Sequence, residues 1–149
     1  MRDSSTSARG AGWVWAQTAL LVAVLGLGAV PPRWPDWLRL LGVPVLLAGV
    51  AGFVWAARTL GSSLTPFPRP LAEGVLVEDG PYRFVRHPIY GAGLLVVLGY
   101  GLLTSVAATA VVPALAVLWW LKARVEERHL VARFPAYADY RRRVRRRLL

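Results

Sequence analysis

The sequence predicts an all-α integral membrane protein with about four transmembrane helices, a long polar loop between the second and third, and a basic amphipathic C-terminal helix. Three observations predict it. Apolar runs that cross or nearly cross a bilayer recur four times along 149 residues, where about 17–25 residues make a spanning helix. Hydrophobic residues make up 56% of the chain, with seven Trp. The net charge of +10 is uneven, with ten Lys/Arg against Glu126, Glu127 and Asp139 from Lys122 onward. The length fits one domain, residues 1–149, in which 13–60 supply two N-terminal spans and 61–149 supply the loop, a helical hairpin and the basic tail.

Residues 1–12 are polar, with Arg2 and Arg9 as their cations, and lack the pattern of a removed signal peptide. Residues 13–30 form an apolar run of 18, at the short end of spanning length. The run 31–36 (Pro-Pro-Arg-Trp-Pro-Asp) must be a loop, because Pro cannot donate a helical hydrogen bond. Residues 38–60 form the second run; Arg39 and Arg58 near its ends can snorkel to the interfaces, and Pro44 is placed to kink it.

Residues 61–87 form the longest polar interruption. Pro66, Pro68 and Pro70 at alternate positions exclude a regular helix and favour extended backbone. Residues 74–77 read as a short extended piece before a turn at 78–81, and Phe67, Leu71, Val75 and Val77 are anchors that favour an ordered loop. Residues 88–103 and 106–121, separated by Thr104 and Ser105, read as a tight helical hairpin bent at Pro113 in its second arm. Trp119 and Trp120, followed by Lys122 and Arg124, mark an interfacial exit.

The helix then continues from Lys122 through Arg133 until Pro135 interrupts it. Tyr137, Tyr140, Val144 and Leu148 fall at i, i+3, i+7 and i+11, the apolar face of a helix whose arginines would lie on anionic membrane lipids. Because the tail follows directly on apolar helices, a lipid surface is the expected partner and nucleic acid is not. Four spans return both termini and the 61–87 loop to one side, with Arg2, Arg9, Arg69, Arg83, Arg86 and the tail. The positive-inside rule makes that side cytoplasmic and the membrane the inner, cytoplasmic one.

Cysteine is absent, which excludes disulfides, thiolate nucleophiles and Cys-based zinc sites. His87 and His129 stand alone, without the His-x-x-x-His spacing of a metal site, so no metal is expected. His129 reads as exposed and idle, Tyr137 and Tyr140 as packing residues.

The segment 80–90 (Gly-Pro-Tyr-Arg-Phe-Val-Arg-His-Pro-Ile-Tyr) concentrates polarity at a membrane-helix entrance. Gly80-Pro81 reads as a turn, and Pro88 fits the first helical position, leaving His87 at the cap. Charged and hydrogen-bonding groups in such a place are expensive unless they are used. A short hairpin returns the chain to its starting side, so Glu126 and Glu127 should come near His87.

This segment, together with Leu76-Val77, Glu126-Glu127, Leu130, Phe134, Tyr137, Tyr140 and Val144, resembles the isoprenylcysteine carboxyl methyltransferase family, related to phospholipid methyltransferases. The resemblance covers roughly the last 80 residues. It implies S-adenosylmethionine as cofactor, bound by Gly74, Val75, Leu76, Val77 and Tyr82 at the nucleoside, by His87, Pro88, Ile89 and Tyr90 at the helix entrance, and by Glu126 at the amino end. Arg86, Lys122 and Glu127 are the implied catalytic candidates. Lys122 stands where enzymes of this family that esterify prenylcysteine carry an arginine, keeping the charge without the bidentate fork.

The expected function is transfer of a methyl group to a lipophilic acceptor, first of all a carboxylate on an isoprenoid-like compound. N-methylation of a phospholipid headgroup is the alternative. A membrane reductase would need a nicotinamide site, and Gly-x-Gly-x-x-Gly is absent; a non-catalytic lipid-binding anchor is the other rival.

Overall fold

The computed structural model describes residues 10–148, so Arg2 and Arg9 lie outside the described residues. The first two helices are α1 (Ala11–Leu27) and α2 (Asp36–Leu60). The long loop begins with a 3-10 turn at Gly61–Ser63 and ends with another at Gly80–Arg83. After it come α3 (Pro88–Thr104), α4 (Val106–Ala110), α5 (Val112–Arg133) and α6 (Tyr137–Arg143). Among the described residues there is no strand, and the protein is all-helical.

Local chemistry sets the element limits. Pro88 begins α3, where its missing N–H breaks no helical bond. Gly80 holds φ 55°, the left-handed conformation that the turn requires and a side chain would strain. Ser105 separates α3 from α4 and caps the latter, its Oγ accepting from the Ala108 N–H at 3.1 Å. The second arm of the hairpin does not simply bend at Pro113. It is split at Val111, and Pro113 sits in the first turn of a fresh helix, which then runs to Arg133 as expected.

The tail departs from expectation. Its apolar positions 137, 140, 144 and 148 do not share one helix, because α6 lasts only seven residues and Val144 leaves it extended, at φ −103° and ψ 94°. Tyr137, Tyr140 and Val144 form a buried cluster against Leu76, Leu130 and Phe134 instead of facing lipid. An isolated helix this short is unstable, so tertiary packing decides its course.

Two stretches, Asp36–Ser63 and Val106–Arg133, are long and apolar enough to cross a membrane, with mean hydropathies of 2.1 and 1.7. Only 17% and 28% of their most apolar windows are buried, so they are not the core helices of a water-soluble fold. Leu40, Val43, Leu47, Val50 and Val54 recur at i, i+3 and i+4 spacing along α2 and are all exposed. That stripe suits hydrocarbon. At 17 residues each, α1 and α3 are about 26 Å long.

The helices pack through small residues, as membrane helices do when backbones approach closely. A Cβ on Gly99 of α3 would lie 2.5 Å from the Leu46 amide nitrogen of α2, and one on Gly49 would lie 2.5 Å from that of Val96. Backbone cannot yield there. Gly99→Ala is therefore expected to cost about 1–3 kcal/mol, the usual range for overpacking. Gly52→Ala, whose Cβ would meet only Ala92 at 3.4 Å, should be neutral. Thermal unfolding of the two variants in detergent checks the difference.

One end of the bundle is closed by polar contacts to helix-end carbonyls. Ser105 Oγ donates to Leu27 O at 2.6 Å, Arg33 donates to Thr104 O at 3.1 Å, and Arg39 Nε donates to Leu103 O at 3.3 Å. The loop 61–87, the last turns of α5 and the tail gather at the opposite end. Pro68 of the loop is fully buried there, packed against Gly10 at the start of α1.

Candidate functional site

At that second end the loop, α1, α2, α3, α5 and α6 enclose a cavity of about 630 Å³. One flank is apolar, lined by Val50, Phe53, Val54, Val96 and Val97. The other carries the polar side chains: Tyr82, Arg86, His87, Tyr90, Lys122 and Glu126. Of the residues singled out in the sequence, Gly74, Val75, Leu76, Val77, Tyr82, Arg86, His87, Ile89, Tyr90, Lys122 and Glu126 line this one cavity. Pro88 and Glu127 do not. Pro88 is buried as the first residue of α3, and Glu127 points behind the wall.

The two adjacent glutamates have different surroundings. Glu127 is 3% exposed and sits among cations. Its Oε1 accepts from Arg86 Nε at 2.9 Å and Arg147 Nε at 3.0 Å and lies 3.2 Å from His87 Nε2, while Oε2 accepts from the Arg147 guanidinium at 3.1 Å. Glu126 faces the cavity and, among the described residues, meets a single close donor, the Tyr90 hydroxyl at 2.9 Å from Oε2. His87 stands between them, with Nδ1 3.6 Å from Glu126 Oε2.

Arg86 also binds the tail. Its guanidinium donates to Val144 O at 2.7 Å and Arg145 O at 2.9 Å, and its own N–H donates to Arg146 O at 3.0 Å. The His87 N–H donates to Arg147 O at 2.8 Å. The extended tail thus closes the back of the site as a strap. Read from sequence as a lipid-facing stripe, it instead turns Arg147 inward onto Glu127.

An aromatic stack forms the remaining wall. His87 lies on Tyr90 and Tyr90 on Trp119, both with ring centroids 5.6 Å apart. Lys122, 1% exposed, places Nζ 5.5 Å from the Tyr90 ring centroid. The same ammonium donates to Gln17 Oε1 at 2.8 Å and Pro66 O at 2.7 Å. Gln17 also accepts from Trp119 Nε1 at 3.1 Å, which makes it the junction between α1, the loop and α5. Sequence reading missed Gln17, although an amide within an apolar run is itself a signal, since buried polar groups in a membrane are costly unless used.

The loop is pinned across the cavity. Ser63 Oγ accepts from the Val75 N–H at 3.1 Å, holding residues 74–77 over the opening without regular secondary structure. The expected anchor Val75 is itself 64% exposed, so this bond does what apolar packing does not. Tyr140 donates to Tyr82 O at 2.7 Å and stays protonated, because burial raises its pKa to about 12. Burial likewise raises the pKa of Tyr82, which donates to Ala56 O.

Tyr137 is the exception. It is 1% exposed and lines the cavity, yet its hydroxyl is a buried polar atom with no partner among the described residues. Burial and then the nearby Glu127 charge raise its pKa, so it remains a donor. His129, expected to be exposed, is half-buried. No group of three or more His, Cys, Asp or Glu side chains is placed to hold a metal ion among the described residues.

The chain is similar to three sets of known proteins. A family model described as phospholipid methyltransferase matches residues 37–136. The cobalt-zinc-cadmium resistance protein CzcN of Cupriavidus metallidurans is 46% identical over 118 residues, covering 74% of this chain and 51% of that protein. The nickel-cobalt-cadmium resistance protein NccN of Alcaligenes xylosoxydans xylosoxydans is 30% identical over 137 residues, covering 87% of this chain and 60% of that protein. The chain therefore spans about half to three-fifths of the length of these relatives. Among solved structures, a eukaryotic intramembrane Ras methyltransferase, isoprenylcysteine carboxyl methyltransferase, shares the fold. Its TM-score is 0.61 at 22% identity, over 91% of this chain and 51% of that one.

Proposed function

We infer the function from one premise: the chain belongs to the phospholipid methyltransferase family, whose model matches residues 37–136. We propose that it transfers a methyl group from S-adenosylmethionine to a lipophilic acceptor, with a carboxylate as the methylated group. The observation that carries this reading is the cavity itself, an apolar flank on exposed α2 that runs into a polar end built by Glu126, Tyr90, His87 and Lys122.

The residues present fit such a donor. Tyr137 buries a hydroxyl without a partner among the described residues, which costs about 1–3 kcal/mol unless something accepts from it. A ligand bearing hydroxyl or carboxylate oxygens at this end of the cavity relieves that cost. S-adenosylmethionine supplies a methyl group activated by a positively charged sulfonium. Glu126 would hold the donor's amino end by a charge-assisted hydrogen bond, its orientation fixed by the Tyr90 hydroxyl. Gly74, Val75, Leu76, Val77 and Tyr82 would border the nucleoside, and the His87–Tyr90–Trp119 stack would keep water out of the polar end. Pro88 would act only by fixing where α3 begins.

Docking the acceptor falls to Lys122 rather than Arg86. Arg86 already has its charge paired with Glu127, and its Nε and Nη1 are engaged by that carboxylate and two tail carbonyls, whereas Lys122 pairs with no carboxylate among the described residues. An ammonium has three N–H donors, and Lys122 uses two of them on Gln17 and Pro66. The third remains for a carboxylate. A carboxylate needs no base before it accepts a methyl group, so orientation is what the chain has to contribute. The apolar flank would take the acceptor's hydrocarbon from the bilayer.

The description of the matched family favours a second reading, N-methylation of a phospholipid headgroup. The names of the two relatives suggest a setting in metal resistance, to which this chain would contribute by altering a membrane component. We place all four apolar helices across the inner membrane with both termini and the loop on the cytoplasmic side; a C-terminal reporter active only outside the cytoplasm would overturn that.

Incubating host membranes with methyl-labelled donor tests the activity. Label released by mild base as methanol identifies an ester, and base-stable label identifies N-methylation. No labelled lipid, with the protein present and folded, would overturn the enzyme reading. Tyr137→Phe tests the fit separately. It should leave the thermal midpoint equal or slightly higher, because a buried unpaired hydroxyl is removed, yet weaken S-adenosylhomocysteine binding about 5–10-fold. Unchanged affinity would remove Tyr137 from the site.

A further inference from the structure

A second concavity, of about 410 Å³, lies behind the strap and is lined by Arg124, Glu127, Arg128, Val131, Arg141 and Arg147. It does not share the methyl-transfer cavity. Both oxygens of its one carboxylate, Glu127, are engaged by Arg147, with Arg86 and His87 on the inner side. Arg124, Arg128 and Arg141 form no salt bridge with an acidic side chain among the described residues. Three arginines without an acidic partner among the described residues thus line one space, whose single carboxylate is already engaged by Arg147. Like charges at i and i+4, as with Arg124 and Arg128, repel on a helix, so the arrangement favours a bound anion.

The same face of α5 says which kind. Val117, Trp120, Arg124, Arg128 and Val131 follow one another at i, i+3, i+7, i+11 and i+14, and all five are exposed. From Val117 to Arg128 the surface changes from apolar, through an interfacial Trp, to cationic. Arg124 stacks 4.8 Å over the Trp120 ring, and Arg147 lies 5.6 Å from the same ring. Trp marks headgroup depth in a membrane protein. A phosphate at the arginines would have its acyl chains beside Trp120 and Val117.

We propose that this pocket is a binding site for one anionic phospholipid, its phosphate held by Arg124, Arg128 and Arg141 and its chains laid along the Trp120–Val117 face. The site rests on membrane embedding and not on the methyl-transfer reading. It also touches the strap, because Arg147, which closes the active cavity from behind, forms one of its walls.

Native mass spectrometry of the full chain, released from detergent with added phosphatidylglycerol or phosphatidylcholine, tests the proposal. The wild type should retain one phosphatidylglycerol and little phosphatidylcholine. The double variant Arg128→Gln/Arg141→Gln should lose that lipid about tenfold or more, as expected for two charge-assisted contacts. Arg145→Gln/Arg146→Gln removes the same charge from exposed tail positions outside the pocket and should retain the lipid. Equal loss in both double variants would mean diffuse attraction and overturn a discrete site. Retention by Arg128→Gln/Arg141→Gln would also overturn it. Displacement of the lipid by inorganic phosphate would reassign the pocket to a soluble anion. Circular dichroism of each variant separates lost binding from lost fold, and if the first double variant unfolds, Arg124→Gln alone serves in its place.

Discussion

Replacing Glu127 with alanine is expected to lower stability by about 3–5 kcal/mol, the range for removing one partner of a buried ion pair. The large effect follows from what is left behind. Arg86 is 6% exposed at its side chain and would keep its charge with no carboxylate, and Arg147 would lose both of its acidic contacts. Arg86 would still have Val144 O and Arg145 O as acceptors, but carbonyl dipoles alone do not neutralise a buried guanidinium. The strap is then held by hydrogen bonds to its backbone carbonyls, with no ion pair between Arg147 and a carboxylate. The second readout is therefore local: the arginines of the tail should become cleavable by trypsin at low protease, where the wild type is protected. Glu127→Gln should lie between, since an amide keeps one acceptor and no charge. If Glu127→Ala unfolds at the wild-type midpoint with its tail still protected, the cluster contributes no stability and the strap has another anchor.

Arg147 is also where sequence reading and structure part. The apolar spacing of Tyr137, Tyr140 and Val144 was legible, and the three are buried together. Periodicity shows that a face is covered but not by what. A seven-residue helix carries too little stability of its own to run on, and Arg86, 58 residues earlier, offers the donors that turn Val144 and Arg145 into an extended strap. That partnership joins positions with no local pattern between them. Arginine-rich composition suggested lipid for the whole tail, and the structure turns one arginine inward and gives three others of the C-terminal region a shared pocket.

The convergence of the loop, the entrance of α3 and Glu126 was legible for a reason of topology. A hairpin with a two-residue turn must return to its starting side, and Pro88 and Arg133 bound it as the caps and prolines indicate. The split at Val111 was not legible, because Pro113 is compatible with a kinked helix or a new one. Gln17 was visible but unread. Its partners, Lys122 and Trp119, are more than a hundred residues away, and only the packing of α1 on α5 brings an amide in one apolar run to the cation at the end of another.

Glu126→Gln should leave the fold intact and lower affinity for S-adenosylhomocysteine about 10–100-fold or more, the loss expected when a charge-assisted hydrogen bond becomes a neutral one. The fold survives because Tyr90 can donate to an amide oxygen as it does to the carboxylate, and no arginine among the described residues pairs with Glu126. Its neighbour pairs with the arginines, and Glu126 faces the cavity. Because the proposed contact is with an amino group, the loss should be specific to ligands that carry one. Isothermal calorimetry with S-adenosylhomocysteine and with 5′-methylthioadenosine, which lacks the amino-acid end, gives the comparison. The wild type should prefer the first; in Glu126→Gln the preference should collapse while methylthioadenosine binds as before. A preference that survives the substitution would put the amino end elsewhere in the cavity, and Glu126 would then be a partner of Tyr90 and no more. Loss of both ligands alike, at an unchanged thermal midpoint, would mean that the carboxylate shapes the nucleoside end instead.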